Sequence, residues 1–157
     1  MLEPDDEKVC IVGATTAWPF YRLTGAYVCQ ANRYIQEDTG RLGFYSSRLI
    51  HGAAPRILRI YQSIELYEGN VAQLAMDPVP ELRRVGLVAE AALQQGATDP
   101  AVQIVLLTPP DHPETVTFEP VRHDGKGAWT QRQRYARLGQ LRQARTTDDL
   151  ISEAAEA

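Results

Sequence analysis

Four short apolar runs precede the first helical repeat of this chain, and that order narrows the fold more than any single motif does. The runs lie at 9–13, 24–30, 42–46 and 57–66. Those at 9–13 and 24–30 are apolar on both faces and predict short buried strands. In the fourth, Leu58, Ile60, Gln62, Ile64 and Leu66 alternate with Arg59, Tyr61, Ser63 and Glu65. A period of two predicts a strand with one buried and one wetter face. The bulky stretch 15–21, broken by Pro19, reads as a loop, and the polar stretch 32–40 as a turn.

Helical spacing appears only after these runs. Asn70 is placed to cap a short turn that ends near Met76. Pro80 suits the first turn of a second helix running to Gln95. There Leu82, Val85, Val88, Ala89, Ala92 and Leu93 recur on one side, and Gly96 is a natural stop. Strand patterns return at 101–108 and 114–121, and their spacing predicts a hairpin around the proline-rich segment 108–113. Tyr135, Leu138, Leu141 and Ala144 predict a helix ending near Arg145. Thr147 can cap a last helix over 147–157, with Leu150, Ile151 and Ala154 inward.

The order does not alternate strand with helix, so a doubly wound parallel sheet is disfavoured. The expectation is an α+β fold: a mixed or mainly antiparallel sheet of five or six strands, one long helix packed on it, and C-terminal helices. A small barrel of the PUA-like kind is an alternative packing. With 157 residues and no linker or repeat, a single domain over 1–157 is expected, with residues 1–7 as a flexible N-terminus. A chain of this size buries roughly 70% of its unfolded surface and needs no metal or disulfide for stability.

Composition excludes some classes. No apolar run approaches the roughly 20 residues that span a bilayer. The acidic start lacks the basic-then-apolar order of a secretory signal, so the reading is cytoplasmic, with no membrane partner. Cys10 and Cys29 both sit in apolar runs and read as buried small hydrophobes, with no CxxC pair. No metal or cofactor is expected.

The net charge of −4 is mild, but it is unevenly spread. Residues 121–147 hold seven basic side chains (Arg122, Lys126, Arg132, Arg134, Arg137, Arg142, Arg145) against Asp124 alone, a net +6. The first eight residues hold four acids against Lys8, a net −3.

The basic segment contains the first candidate site. Gly125 and Gly127 let backbone approach a ligand, Lys126, Arg132 and Arg134 are placed to hold phosphates, and Trp129 or Tyr135 to stack on a base. The same stretch also reads as a surface turn entering an amphipathic helix, with both aromatics in the core. Arg41 and Arg48, with Arg56 and Arg59 nearby, extend the positive surface if their strand lies close. Residues 13–16 follow the first strand as a nucleotide loop would, but GxGxxG is absent and no helix is evident after them.

The histidines His51, His112 and His123 read as exposed turn residues. Asp111-His112 and His123-Asp124 lie at opposite ends of a strand of about seven residues, which keeps them more than ~20 Å apart. Ser46, Ser47 and Cys29 are available as nucleophiles, without a GxSxG elbow.

The leading functional expectation is a non-catalytic binding module for nucleic acid or a phosphate-bearing ligand. A protein-interaction or homo-oligomeric assembly domain is the alternative. A small enzyme with a site gathered from scattered residues is the third.

Overall fold

A computed structural model describes residues 4–127, 129–130 and 133–150. It is α+β, built on a five-stranded mixed sheet that curls into half a barrel and on four helices. The first run forms β1 (Lys8–Gly13). It lies parallel to β3 (Thr39–Ser46) and antiparallel to β10 (Gln133–Arg137). β3 turns back into β4 (Leu49–Ile50), and β4 pairs with β9 (Val121–Arg122). The order across the sheet is therefore β10-β1-β3-β4-β9.

A second, antiparallel sheet has the order β2-β7-β6, from β2 (Ala26–Gln30), β7 (Ala101–Leu107) and β6 (Ile57–Glu65). A two-stranded ladder joins β5 (Ala53–Ala54) to β8 (Val116–Thr117).

Three apolar clusters stack through the molecule. Cys10, Val12, Leu42, Phe44 and Tyr135 of the large sheet meet Tyr27, Val105 and Leu107 of the second sheet. On the other face of the large sheet, Val9, Ile11 and Ile50 pack with Trp129, Leu138 and Leu141. On the outer face of the second sheet, Val102, Ile104 and Leu106 meet Val85, Val88 and Ala89. These last belong to α3 (Pro80–Gln94), which pairs with α2 (Glu68–Ala75). β1 is covered on both sides, which explains why its apolar run does not alternate.

Several expectations are corrected. The stretch 15–21 is not a loop, because α1 (Ala17–Thr24) begins within it. Pro19 falls in the first turn, where a missing N–H costs no intrahelical bond, and Gly25 ends the helix at φ 72°.

The predicted 102–108/115–121 hairpin does not form. β7 is bonded on both sides, by β2 and β6, so the strands after the prolines pair with β5 and β4 instead. Tyr135 belongs to a strand, not to a helix. β10 supplies the antiparallel neighbour of β1, and only then does α4 (Leu138–Gln143) begin.

Tyr67, not Asn70, stands at the start of α2, and the Asn70 amide donates to the Glu65 carbonyl at 2.8 Å. Register shifts in β6 break its strict alternation, so Tyr61 and Ile64 share the α3-facing cluster while Leu58 is exposed. Thr147 opens a 3-10 turn (Thr147–Asp149) that Thr146 caps, and the remainder of the helix expected at 147–157 lies outside the described residues. Among the described residues no helix is long and apolar enough to cross a membrane.

Candidate functional site

The residues after β1 turn sharply at its end. The Ala14 N–H donates to the Tyr45 carbonyl at 2.8 Å, and the Trp18 N–H to the Ala14 carbonyl at 3.0 Å. The 13–16 turn therefore leads directly into α1, and the missing helix that weakened a nucleotide-loop reading is present. Thr16 stands at the helix start with its hydroxyl unused as a cap.

Facing this turn is the β3–β4 connection, a two-residue hairpin loop. Ser47 and Arg48 both take the left-handed region, with φ of 53° and 61°. Such a turn ordinarily favours Asn-Gly, and two larger residues there are held against steric strain. Arg48 has a compensating role: its guanidinium donates to the Gly127 carbonyl at 2.9 Å and to that of Gly125. Its own carbonyl accepts from the His123 N–H at 2.9 Å. Arg48 thus clamps the 125–127 loop to the hairpin.

Between the two turns lies an open cleft of about 610 Å³. One wall is the 13–16 turn, Gly13, Ala14, Thr15 and Thr16. The other carries Ser46, Ser47 and Arg48, with Gly127 and Thr130 beside them. The volume lies in the range of small-molecule sites.

At its edge Ser46 Oγ is 2.7 Å from His51 Nε2. The hairpin register produces this contact: Ser46 pairs with Leu49, so His51 two residues on is its diagonal neighbour on the same face. The His51 ring stacks on Trp18 with centroids 4.4 Å apart and planes 7° from parallel. Burial, and then the positive charge of Arg22, lower the His51 pKa below its usual value and favour the neutral ring. With its proton on Nδ1, that ring accepts at Nε2 from the serine hydroxyl.

The predicted site residues divide. Arg48 lines the cleft, Lys126 is exposed on the clamped loop, and Arg134 is half-buried against Trp129. Arg134 covers the Trp129 indole at 4.4 Å and donates to the Trp129 carbonyl at 2.9 Å. Trp129 itself is 9% exposed and its N–H donates to the Tyr45 hydroxyl at 3.1 Å. Tyr135 is buried under the large sheet, its hydroxyl accepting from the Gln36 N–H and the Gln133 amide.

Arg41 is buried far from solvent, bonded to Glu7 and to the Ala54 and Glu114 carbonyls. None of these partners lines the cleft. Arg132 lies outside the described residues. The structure therefore brings Arg48 together with the 125–130 stretch and leaves Arg41 and Tyr135 elsewhere.

The +6 stretch is also partly covered. Arg142 pairs with Asp5 at 3.0 Å, and Arg137 donates to the Asp6 carbonyl at 2.9 Å. The acidic chain start folds onto the basic segment. His112 and His123 do not meet: His112 accepts from the Glu114 N–H, and His123 contacts Thr147 at 2.7 Å.

Sequence reasoning missed the Ser46–His51 contact and the Trp18 stack. The available signal was the two-residue spacing of a tight hairpin at Ser47-Arg48, disguised because neither residue is Gly or Asn. Among the described residues no group of three His, Cys, Asp or Glu side chains converges on a metal site. Comparison with protein-family models, curated proteins and solved structures finds no match to this chain.

Proposed function

We propose that the protein binds a phosphate-bearing ligand, a nucleotide or an exposed phosphate of nucleic acid, in the cleft between the 13–16 and 46–48 turns. One observation supports this above others: four hydroxyl-bearing residues besides Ser46, namely Thr15, Thr16, Ser47 and Thr130, line the cleft together with Arg48. Phosphate oxygens are strong acceptors and are matched by several hydroxyl donors and a planar cation. The Arg48 side chain already spends donors on two carbonyls, and a guanidinium has five in all. Lys126, exposed on the clamped loop, extends the positive rim along which a nucleic-acid backbone would run.

Trp129 and Tyr135 are buried, so in this reading neither stacks on the ligand, and Trp129 anchors the end of the loop in the core. The curled sheet would then be a platform of the PUA-like kind. We place the activity in the cytoplasm, where Cys10 and Cys29 stay unpaired.

The test is a fluorescence titration with a labelled single-stranded oligonucleotide and with a nucleoside monophosphate, at about 50 and 200 mM salt. We expect binding that weakens steeply as salt rises, and a loss of about tenfold or more in affinity for Arg48→Glu with Lys126→Glu. Arg132→Glu with Arg134→Glu should weaken the oligonucleotide more than the monophosphate. Absence of binding at low salt, or affinity indifferent to the Arg48 and Lys126 changes, would refute the proposal.

A further inference from the structure

The Ser46–His51 pair has the geometry of an activated nucleophile, and binding alone makes no use of it. A serine hydroxyl is a weak nucleophile until a base within hydrogen-bond reach takes its proton. Here the base is 2.7 Å away, and its ring is held in plane by the Trp18 indole at 4.4 Å. In a serine triad a carboxylate orients the imidazole; stacking on Trp18 provides the orientation here. Ser46 is half-buried and lines the 610 Å³ cleft, which puts the residue beside the space a ligand would fill. Arg48, Thr15 and Thr16 line the same cleft and carry donors of the kind an oxyanion site uses.

We propose that Ser46 and His51 form a catalytic dyad that hydrolyses carboxylic esters bound in this cleft. The Ser46 oxygen attacks the ester carbonyl carbon, forming a C–O bond while its proton passes to His51 Nε2. The tetrahedral intermediate collapses, the bond to the leaving alkoxide breaks, and the alkoxide takes the proton from His51. Water then attacks the acyl-serine with His51 again as base, releasing the carboxylic acid and restoring the serine hydroxyl. Water is the only co-reactant. A dyad without a carboxylate partner turns over slowly, so acylation of the serine is a more sensitive readout than steady-state rate.

The experiment treats the full-length protein with a neutral fluorophosphonate and measures intact mass, followed by peptide mapping. In this reaction the serine oxygen displaces fluoride from phosphorus. The expected result is a single adduct on Ser46, absent in Ser46→Ala and formed about 100-fold or more slowly in His51→Gln. Hydrolysis of p-nitrophenyl butyrate should fall to the uncatalysed rate in the same two variants. Circular dichroism confirms that each variant is folded.

No adduct on the wild type, an adduct on another residue, or labelling of His51→Gln at the wild-type rate overturns the dyad. The reagent carries no anionic phosphate, so its outcome is independent of the phosphate-binding titration. Labelling without phosphate binding refutes only the binding proposal, and binding without labelling refutes only the dyad.

Discussion

Trp18 covers one face of the His51 imidazole, and burial with the Arg22 charge lowers its proton affinity in the folded state. Arg22 also lies over that indole, its guanidinium carbon 5.9 Å from the ring centroid. Below the ordinary histidine value of 6.5 the unfolded chain takes up a proton that the folded chain resists. The unfolded state then binds more protons, so this group's contribution is present above pH 6.5 and is lost as pH falls through the lowered folded value. Denaturant midpoints should therefore drop between about pH 7.5 and 5.5 by more in wild type than in His51→Gln, as urea titrations at the two pH values would show. Equal drops would mean that the ring is not held neutral. The two cysteines show the other side of burial. Desolvation pushes the Cys10 thiol up to about 12 and the Cys29 thiol to about 11, which leaves both as unreactive packing groups. Their inward position was readable from the apolar runs around them. The role of His51 was not, because nothing in a linear sequence places Trp18, thirty-three residues earlier, against it.

Among the elements, the close approach of α2 and α3 depends on one missing side chain. A Cβ at Gly86 would lie 2.1 Å from the Ala75 nitrogen and 2.5 Å from the Leu74 carbonyl carbon. Both contacts are backbone, so relief requires the helices to move apart. Gly86→Ala should cost about 1–3 kcal/mol, against the small gain alanine gives in an exposed helix. Chemical denaturation would measure it, and an unchanged midpoint would show that the helix pair is loose. The strands were easier to read than the connections. The runs at 42–46 and 101–108 are strands because aromatic side chains in the first and β-branched ones in the second fill a covered sheet. The 135–145 region failed for a physical reason: Tyr135, Leu138, Leu141 and Ala144 have helical spacing, yet the first belongs to β10 and the next two to α4. Their common spacing hides an element boundary. Pro19 misled in the opposite direction, since a proline reads as a breaker unless its place in the first turn is known.

At the scale of the whole molecule, Arg41 joins parts that are distant in sequence. Its 3% exposed side chain reaches Glu7 at the chain start, the Ala54 carbonyl of β5 and the Glu114 carbonyl before β8. Removing it takes the donor from two carbonyls and leaves the Glu7 carboxylate with Arg56 alone, at 3.5 Å, so Arg41→Ala should destabilise by about 2–5 kcal/mol. A thermal or urea melt would check this, and a variant as stable as wild type would contradict the bridging role. The segregation of charge, −3 at the start and +6 near the end, was plain in the sequence. Its destination was not, because the docking of Asp5 and Asp6 onto α4 is set by how the sheet closes. That closure has a consequence for biosynthesis. Among the described residues β1 is the first strand to leave the ribosome, and β10, its antiparallel neighbour over Lys8 to Val12, is the last. About 120 residues separate them, which at ordinary translation speeds of about 5–20 residues per second is a wait of roughly 6–25 s. During that interval a strand with four consecutive apolar residues, Val9 to Val12, has one edge unpaired. The nascent protein is then at its most vulnerable to association with its neighbours, and a chaperone that shields residues 8–13 would matter more to its yield than to its final stability.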